Sequence, residues 1–325
     1  MKKLVSLLLV FVLVFAFASC GEKTPEPETV KANVFMISGP TGIGAVNLMS
    51  QHKAGNAKGD YNFTVVSAPT EIVAKISNKE ADIAAVATNM AATIYNKTNG
   101  GVTVLAVNTL GVLNVLTNGT EVNSLADLKG KKVYTTGQGA NPEYVIDYLL
   151  TKNGVNPDTD LDLQFKAEGT ELVTVWATEP NAVIIAPQPV ASSILTKYQG
   201  SKLAIDLTDE WEKVGDNSAL MMGCVIVRNE FLSQNPDTVK LFLEEYEASI
   251  KKANEEVDGT AALCEEYGIV AKTAVAKKAI PNCNICFVTG NEMKTKLSGY
   301  LAVLFAADKK AVGGKLPEAD FYYEG

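Results

Sequence analysis

Two side chains that carry much of protein chemistry are almost missing from this chain of 325 residues: it has one histidine, His52, and one arginine, Arg228. A single imidazole excludes H-E-x-x-H and every other metal motif built on paired histidines. No G-x-S-x-G elbow accompanies it, and no pair of carboxylates stands out as acid and base, so catalysis has little to stand on. A single guanidinium leaves no set of bidentate clamps for carboxylate, sulfonate or phosphate, because lysine offers only a point charge. Basic excess is lacking too: 29 Lys and Arg against 37 Asp and Glu give −8, the wrong sign for neutralising nucleic-acid phosphates. Cysteine is scarce, with Cys224, Cys264, Cys283 and Cys286 beyond Cys20. The pair in "CNIC" has metal-ligand spacing but no second pair, so zinc would need Cys224 and Cys264 to converge on it; a disulfide or buried thiols are the simpler expectation, and no metal and no cofactor is assigned.

Long apolar runs are limited to the N-terminus. Lys2 and Lys3 precede an apolar stretch over 4–18 that is short for a bilayer span and ends in "FASC". Residues 1–19 read as a signal peptide, and the small residues before Cys20 resemble a bacterial lipobox, with Phe17 departing from the usual aliphatic. Cys20 is then the lipidated first residue, and the polar, proline-rich 20–31 is a tether from the membrane to a folded body. Loss of Lys2 and Lys3 takes the charge to about −10.

What is abundant after the tether is alternation. Strands are expected over 34–38, 62–67, 82–87 and 102–108, with helices over 43–52, 71–77 and 90–95 between them; a second series runs 132–135, 142–152, 162–166, 171–177, 182–186 and 190–198. Apolar strands separated by helices predict parallel sheets covered on both faces. "TEIV" at 70–73 recurs as "TELV" at 170–173, suggesting two equivalent lobes with threonine N-caps. Asn141 is placed as N-cap of the 142–152 helix, and Asn235 as N-cap of a long amphipathic helix from 236 to about 257. Trp176 sits on a predicted amphipathic helix and is expected in the core.

The stretch "SGPTGIGAVNLM" (38–49) follows the first strand and is the main candidate site. It lacks the spacing and the lysine of a phosphate-binding loop, which argues against nucleotide binding. Glycines there let backbone approach a ligand, and Ser38, Gly39, Pro40, Thr41 and Gly42 supply hydroxyls and helix N-terminal amides; a tight turn with no further role is the competing reading. "TGQGAN" occupies the same place in the second series, giving Gly137, Gln138, Gly139 and Asn141. Other strand-end candidates are Pro69, Thr70, Thr88, Asn89, Pro187, Gln188 and Met221.

The segments "SLADLKGKKVYTTG", "NPEYVIDYLLTKNGV", "GTELVTVWATEPNAVIIAPQPVAS" and "GCVIVRNEFLSQNPDTVKLFLEEYEASIKKANE" resemble solute-binding lipoproteins of ABC importers. The type 2 group for nitrate, alkanesulfonates, taurine and the pyrimidine precursor of thiamine is the nearest in pattern. The resemblance implies an α/β, two-lobed type 2 periplasmic-binding-protein fold, each lobe a mainly parallel sheet flanked by helices, with lobe I formed by 32–122 plus 224–325 and lobe II by 123–223. It implies a monomer on the extracytoplasmic face that closes on a small-molecule ligand by a hinge motion and meets a membrane permease driven by its ATPase. Pro187-Gln188-Pro189 departs from relatives that carry an acid before proline, and with the arginine shortage this favours a neutral, zwitterionic or aromatic ligand. A secreted enzyme on the same fold and a ligand-sensing partner of a membrane receptor are the competing functions.

Overall fold

The computed structural model describes residues 30–325; the expected signal sequence (1–19), Cys20 and the tether through residue 29 lie outside the described residues. From Ala32 strands and helices alternate: β1 (Ala32–Ile37), the single turn α1 (Pro40–Ile43), α2 (Val46–Lys53), β2 (Tyr61–Val66), α3 (Pro69–Ser77), β3 (Ile83–Ala87), α4 (Thr88–Lys97) and β4 (Val102–Thr109). β1 pairs in parallel with β2 on one side and β3 on the other. The apolar strands do not alternate with polar residues because helices cover both faces: Ala84 and Val86 enter one apolar cluster, Ile83 and Ala85 the other.

The chain then builds a second sheet from β5 (Leu113–Thr117), β6 (Lys132–Thr136), α5 (Asn141–Lys152), β7 (Asp162–Lys166), α6 (Gly169–Leu172), α7 (Val175–Thr178), β8 (Val183–Pro187), α8 (Val190–Lys197), β9 (Lys202–Asp206) and α9 (Leu207–Val214). It returns through β10 (Gly223–Arg228), α10 (Asn229–Gln234), α11 (Pro236–Glu255), α12 (Val257–Glu266), α13 (Thr273–Ala279), β11 (Ile285–Val288) and α14 (Gly290–Ala307). The first sheet has the order β11-β4-β10-β3-β1-β2 and the second β7-β6-β8-β5-β9. In each, a crossing strand runs against both its neighbours, β10 between β3 and β4 and β5 between β8 and β9, and the edge strand β11 also runs antiparallel to β4.

Several sequence expectations need correction. β5 falls inside the stretch 32–122 given to lobe I, yet it pairs with β8 and β9, so the first crossing lies between Thr109 and Leu113, not at 122/123. Its strand is apolar and uninterrupted from β4 except for "LGV", which hid the change of sheet. The expected 171–177 helix is broken into α6 and α7, and neither threonine caps: Ala68 and Glu168 occupy the N-cap positions, the latter in a capping box with Glu171. Asn141 is likewise the first helical residue, behind N-cap Ala140. Asn235 holds its N-cap position, but its side-chain amide donates to the Phe231 carbonyl instead of capping α11.

The apolar face of α11 is the one its spacing predicts, with Val239, Phe242, Tyr246 and Ile250 buried. Trp176 is buried and donates its indole N–H to the Ala182 carbonyl. The "SLADLKG" segment is structural: Asp127 accepts from the Asn123 and Ser124 amides, which hold its carboxyl below the usual range, and Ser124 and Asp127 close a capping box. The four described cysteines are free thiols, three of them buried.

Candidate functional site

Each candidate residue lies at or just past a strand end, and the chain's two crossings lie at those same ends. In open α/β sheets this is where ligands bind, because helix N-termini and loop backbone are left facing the gap. The first crossing is pinned by Asn284, whose backbone carbonyl accepts from Leu110 N–H and whose side-chain amide donates to the Gly111 carbonyl at 2.7 Å. It adopts a left-handed φ of 46°, which asparagine tolerates. The use of "CNIC" in this fold is therefore its asparagine, with Cys283 buried beside it.

The main candidate turn is packed more tightly than its glycines suggest. Gly39 has φ 95° and donates its N–H to the Ile269 carbonyl, and Gly42 donates back to the Gly39 carbonyl. The amide at Gly42 is therefore spent inside the protein, against expectation. α1 is a single turn, since Gly44 and Ala45 separate it from α2. A Cβ at Gly42 would lie 2.3 Å from the Ile37 carbonyl oxygen, so this glycine is required by packing. Thr41 gives its carbonyl to the Asn108 side-chain amide, which also donates to the buried Tyr246 hydroxyl at 2.7 Å. Ser38, Pro40 and Thr41 remain half-buried beside this network.

Two groups of candidates emerge. Thr88 donates its hydroxyl to the Met221 carbonyl at 2.6 Å, tying β3's end to the second crossing; Asn89 reaches the Ala311 carbonyl. On the facing unit Asn141 accepts from the buried Tyr300 hydroxyl of α14 at 2.6 Å, and the Tyr144 hydroxyl lies within reach of two acceptors, Asp308 at 3.2 Å and the Gly139 carbonyl at 3.4 Å. Glu143 accepts from Gly139 N–H, while Gly137 packs under Pro142 and Gln138 is exposed. α14 thus touches both units on this side, and a groove of about 490 Å³ runs between it and α5, with Tyr144 and Tyr148 facing Val303 and Ala306. Asp147 borders that groove; burial, then the nearby Glu143 and Asp158, push its carboxyl up to about 6. Pro69 and Thr70 are exposed in the first turn of α3 and touch neither group.

The other group lies across the seam. Pro187 ends β8, and Gln188 precedes a cis bond to Pro189. From there a groove of about 430 Å³ opens between Pro189, Ser193 and Thr196 on one wall and Val270, Lys272 and Val275 on the other. Lys278 of α13 donates to Thr196 of α8 across it. The residue before Val270 is Ile269, the partner of Gly39, so the first turn backs onto this groove. Gln188 is 2% exposed; its Oε1 accepts from Ser192 N–H and hydroxyl, while its Nε2 has no hydrogen-bond partner. A buried donor left unpaired costs about 1–3 kcal/mol; among the described residues Asn96 Oδ1, Asn114 Oδ1, Thr117 Oγ1 and the Tyr198 hydroxyl are unpaired likewise.

Sequence reading missed the 269–275 wall, Ser192, Asn108 and Asn114. The two asparagines carried a usable signal: each interrupts an apolar strand, where a buried amide needs partners. The wall carried none, since "IVAKTAV" reads as any helix start.

The scarce residues are structural. Arg228 bonds Asp82 at 2.7 Å and Glu230 at 2.9 Å, with Asp82 also accepting from the Asn33 amide. His52 stands at the end of α2 with its ring edge-on to Tyr61 and Phe63. Among the described residues no group of three or more His, Cys, Asp or Glu is placed to hold a metal, and no helix is long and apolar enough to cross a membrane.

The whole architecture is similar to that of solved binding proteins. A crystal structure of an ABC transporter from Parabacteroides distasonis superposes with TM-score 0.76 at 24% identity, covering 91% of this chain and 99% of that one. The periplasmic aliphatic sulphonate binding protein SsuA of Escherichia coli gives 0.72 at 10% identity over 91% and 93%. A Candida albicans gene product with the generic periplasmic binding protein structural fold gives 0.56 at 17% over 90% and 93%. These likenesses establish the periplasmic-binding-protein fold. No curated protein matches by sequence. The NMT1/THI5-like family model matches residues 67–258, which spans α3 through the second sheet and α11 to the start of α12, and on that match the chain belongs to the NMT1/THI5-like family.

Proposed function

We propose that this protein is an extracytoplasmic solute-binding protein that captures a small molecule between two lobes and delivers it to an ABC-type import permease and its ATPase. Lobe I comprises the first sheet with its helices and lobe II the second; a lipid on Cys20 holds the protein at the bacterial cell membrane, and it works as a monomer without catalysis. The observation that carries the reading is the groove of about 430 Å³ whose walls come from both units, α8 on one side and the 270–275 segment on the other. A volume in this range suits a small ligand, and a site with walls on two bodies couples binding to their approach. The fold shared with ABC-type binding proteins supports the same role.

The candidate ligand contacts are Ser38, Gly39, Pro40 and Thr41 from lobe I and Pro187 and Gln188 from lobe II, with Thr88, Asn89, Met221 and the 137–141 turn completing the far side of the cleft. Gly42, Pro69 and Thr70 support or flank the cleft without touching ligand. Native mass spectrometry of protein purified without denaturation tests the reading directly. A stoichiometric small molecule, lost on unfolding and restoring thermal stability when returned, is the expected result. A protein that carries no small molecule, and that metabolite extracts of its host neither stabilise nor compact in X-ray scattering, would remove solute capture. For the anchor, Cys20→Ser is expected to shift the protein from the membrane fraction to the medium or periplasm.

A further inference from the structure

The sequence carries three Asn-Gly steps: Asn99-Gly100, Asn118-Gly119 and Asn153-Gly154. Such a step is chemically labile in water, because glycine has no Cβ to keep its nitrogen from reaching the preceding side-chain carbonyl carbon. Whether it reacts in a folded chain depends on what holds that nitrogen and that side chain. Gly154 donates its N–H to the Thr151 carbonyl at 3.0 Å and the Asn153 side chain donates to the Leu149 carbonyl at 2.8 Å, so both reacting groups are tied to the end of α5. Gly100 donates its N–H to the Tyr95 carbonyl at 2.9 Å, and its own carbonyl accepts from the Asn229 side chain at 2.6 Å, which fixes this step at the end of α4.

The third step is held by neither kind of bond. Among the described residues the Gly119 N–H has no acceptor and the Asn118 side chain has no hydrogen-bond partner. Gly119 is exposed, with a left-handed φ of 79° and no atom within 4 Å of where a Cβ would stand. The step forms a bend between Thr117, which ends β5 in register with Lys202, and Thr120, whose hydroxyl donates to the Asn181 carbonyl. Both flanks of the bend are therefore anchored, while its two reacting groups are not. Leu113, at the other end of β5, pairs with Pro187 where β8 meets the groove, so Asn118 lies roughly 16 Å farther along the sheet, at the end away from the ligand candidates.

We infer that Asn118 is a site of spontaneous deamidation in the folded protein, and that the fold protects Asn99 and Asn153. The Gly119 nitrogen attacks Asn118 Cγ: a new N–Cγ bond forms, the Cγ–Nδ2 bond breaks, and the amide proton of Gly119 leaves with Nδ2 as ammonia. One water then opens the five-membered imide. Opening at Cγ gives aspartate; opening at the backbone carbonyl carbon of residue 118 gives isoaspartate. In sum, asparagine and water become a carboxylate and ammonium, with no oxidant and no enzyme consumed. Each event adds one negative charge to a chain already at −8, and the isoaspartyl form also lengthens the turn by routing the backbone through the side chain. At Asn99 and Asn153 the helix end must open before the nitrogen can attack, which slows both by about tenfold or more, the worth of one or two hydrogen bonds. The inference is independent of solute capture.

The test holds the purified, folded protein at pH 8.5 and 37 °C and follows each Asn-Gly peptide by mass spectrometry after digestion at mildly acidic pH, with an isoaspartyl methyltransferase to count the isoaspartyl product. The peptide holding Asn118 is expected to convert about tenfold or more faster than those holding Asn99 and Asn153. In urea the three rates converge, since only the fold distinguishes them. Asn118→Gln, whose longer side chain cannot close the same ring, is expected to remove the early acidic band in isoelectric focusing; its melting temperature reports whether it folds. Equal rates at the three steps in the folded protein, or slower conversion at Asn118 than at either of the others, overturn the inference. A lead for Asn118 that persists undiminished in urea makes sequence rather than fold its cause and overturns the protection of the other two. An early acidic band that survives Asn118→Gln overturns the assignment of the site.

Discussion

Gly42 in the turn after β1 separates packing from ligand contact, and the structure sets the size of the effect. The Cβ of Gly42→Ala would come 2.3 Å from the Ile37 carbonyl oxygen and 2.8 Å from Ile269 Cδ1. The isoleucine methyl can rotate away; the carbonyl cannot, because it ends the β1 strand that pairs in register with β2. Forcing a methyl into packed space costs about 1–3 kcal/mol, and a clash with backbone belongs in the upper half of that range. For a protein of this size that corresponds to a fall in Tm of roughly 3–5 °C, read by circular dichroism or calorimetry without ligand. Ile269→Val removes only the movable part of the clash, so in a double-mutant cycle it returns a minor share of the loss. Gly39→Ala is the control: φ is 95° there but no atom lies within 4 Å of the added carbon, so its cost of about 1–3 kcal/mol comes from backbone strain and Ile269→Val leaves it untouched. A Gly42→Ala protein melting within a degree of wild type would show that the turn has room, and the account of why glycine stands there would fail. Gly42→Val adds more bulk at the same place and is for the same reason a probe of folding, not of binding.

Removing the guanidinium partner with Arg228→Leu leaves Asp82 unpaired at 8% side-chain exposure and is expected to cost about 3 kcal/mol in urea unfolding, whereas an unchanged midpoint would mean the pair is dispensable. Asp147 has its folded carboxyl raised from 3.8 to about 6, so the folded state favours the neutral form; its contribution is present below pH 4 and lost as pH rises through 6. Asp147→Asn should therefore raise Tm at pH 7.5 but not at pH 4, and an equal effect at both pH values would refute the assignment. Burial raises all four described thiols, Cys264 and Cys286 to about 12, so a chain beginning after Cys20 should resist disulfide-exchange labelling at pH 8 until unfolded; rapid labelling of the native protein contradicts the packing around them.

The fold was legible wherever a period or a cap was strong. The α11 face, the strands before each glycine turn and the burial of Trp176 follow from spacing and side-chain type. β5 was not legible, because an apolar run from 102 to 117 has no local mark of where it leaves one sheet for another; only its pairing with β8 decides. The threonine caps failed for a related reason: Thr70 and Thr170 stand beside helix starts, but Pro69 and Glu168 are better suited to begin those helices, the first by its fixed φ and the second by its reciprocal bond with Glu171.

The candidate site divides along the same line. Glycine runs marked the turns correctly but not their purpose: Gly39 and Gly42 serve the backbone and the packing, and Asn141 serves α14 through Tyr300. Two buried polar groups of the second sheet are amides set into apolar strands, Asn114 within "LNVLT" and Gln188 at the end of "VIIAP". Such residues carry a cost in the folded protein that nothing local repays: each leaves one polar atom dry and unpaired. Asn114 has polar company on its face, since Asp206 of β9 stands opposite it in register and Gln188 lies diagonal to it. Each amide is legible as an interruption of an apolar run, but which groups it meets is decided only by strand register, and that depends on pairing between segments distant in the chain.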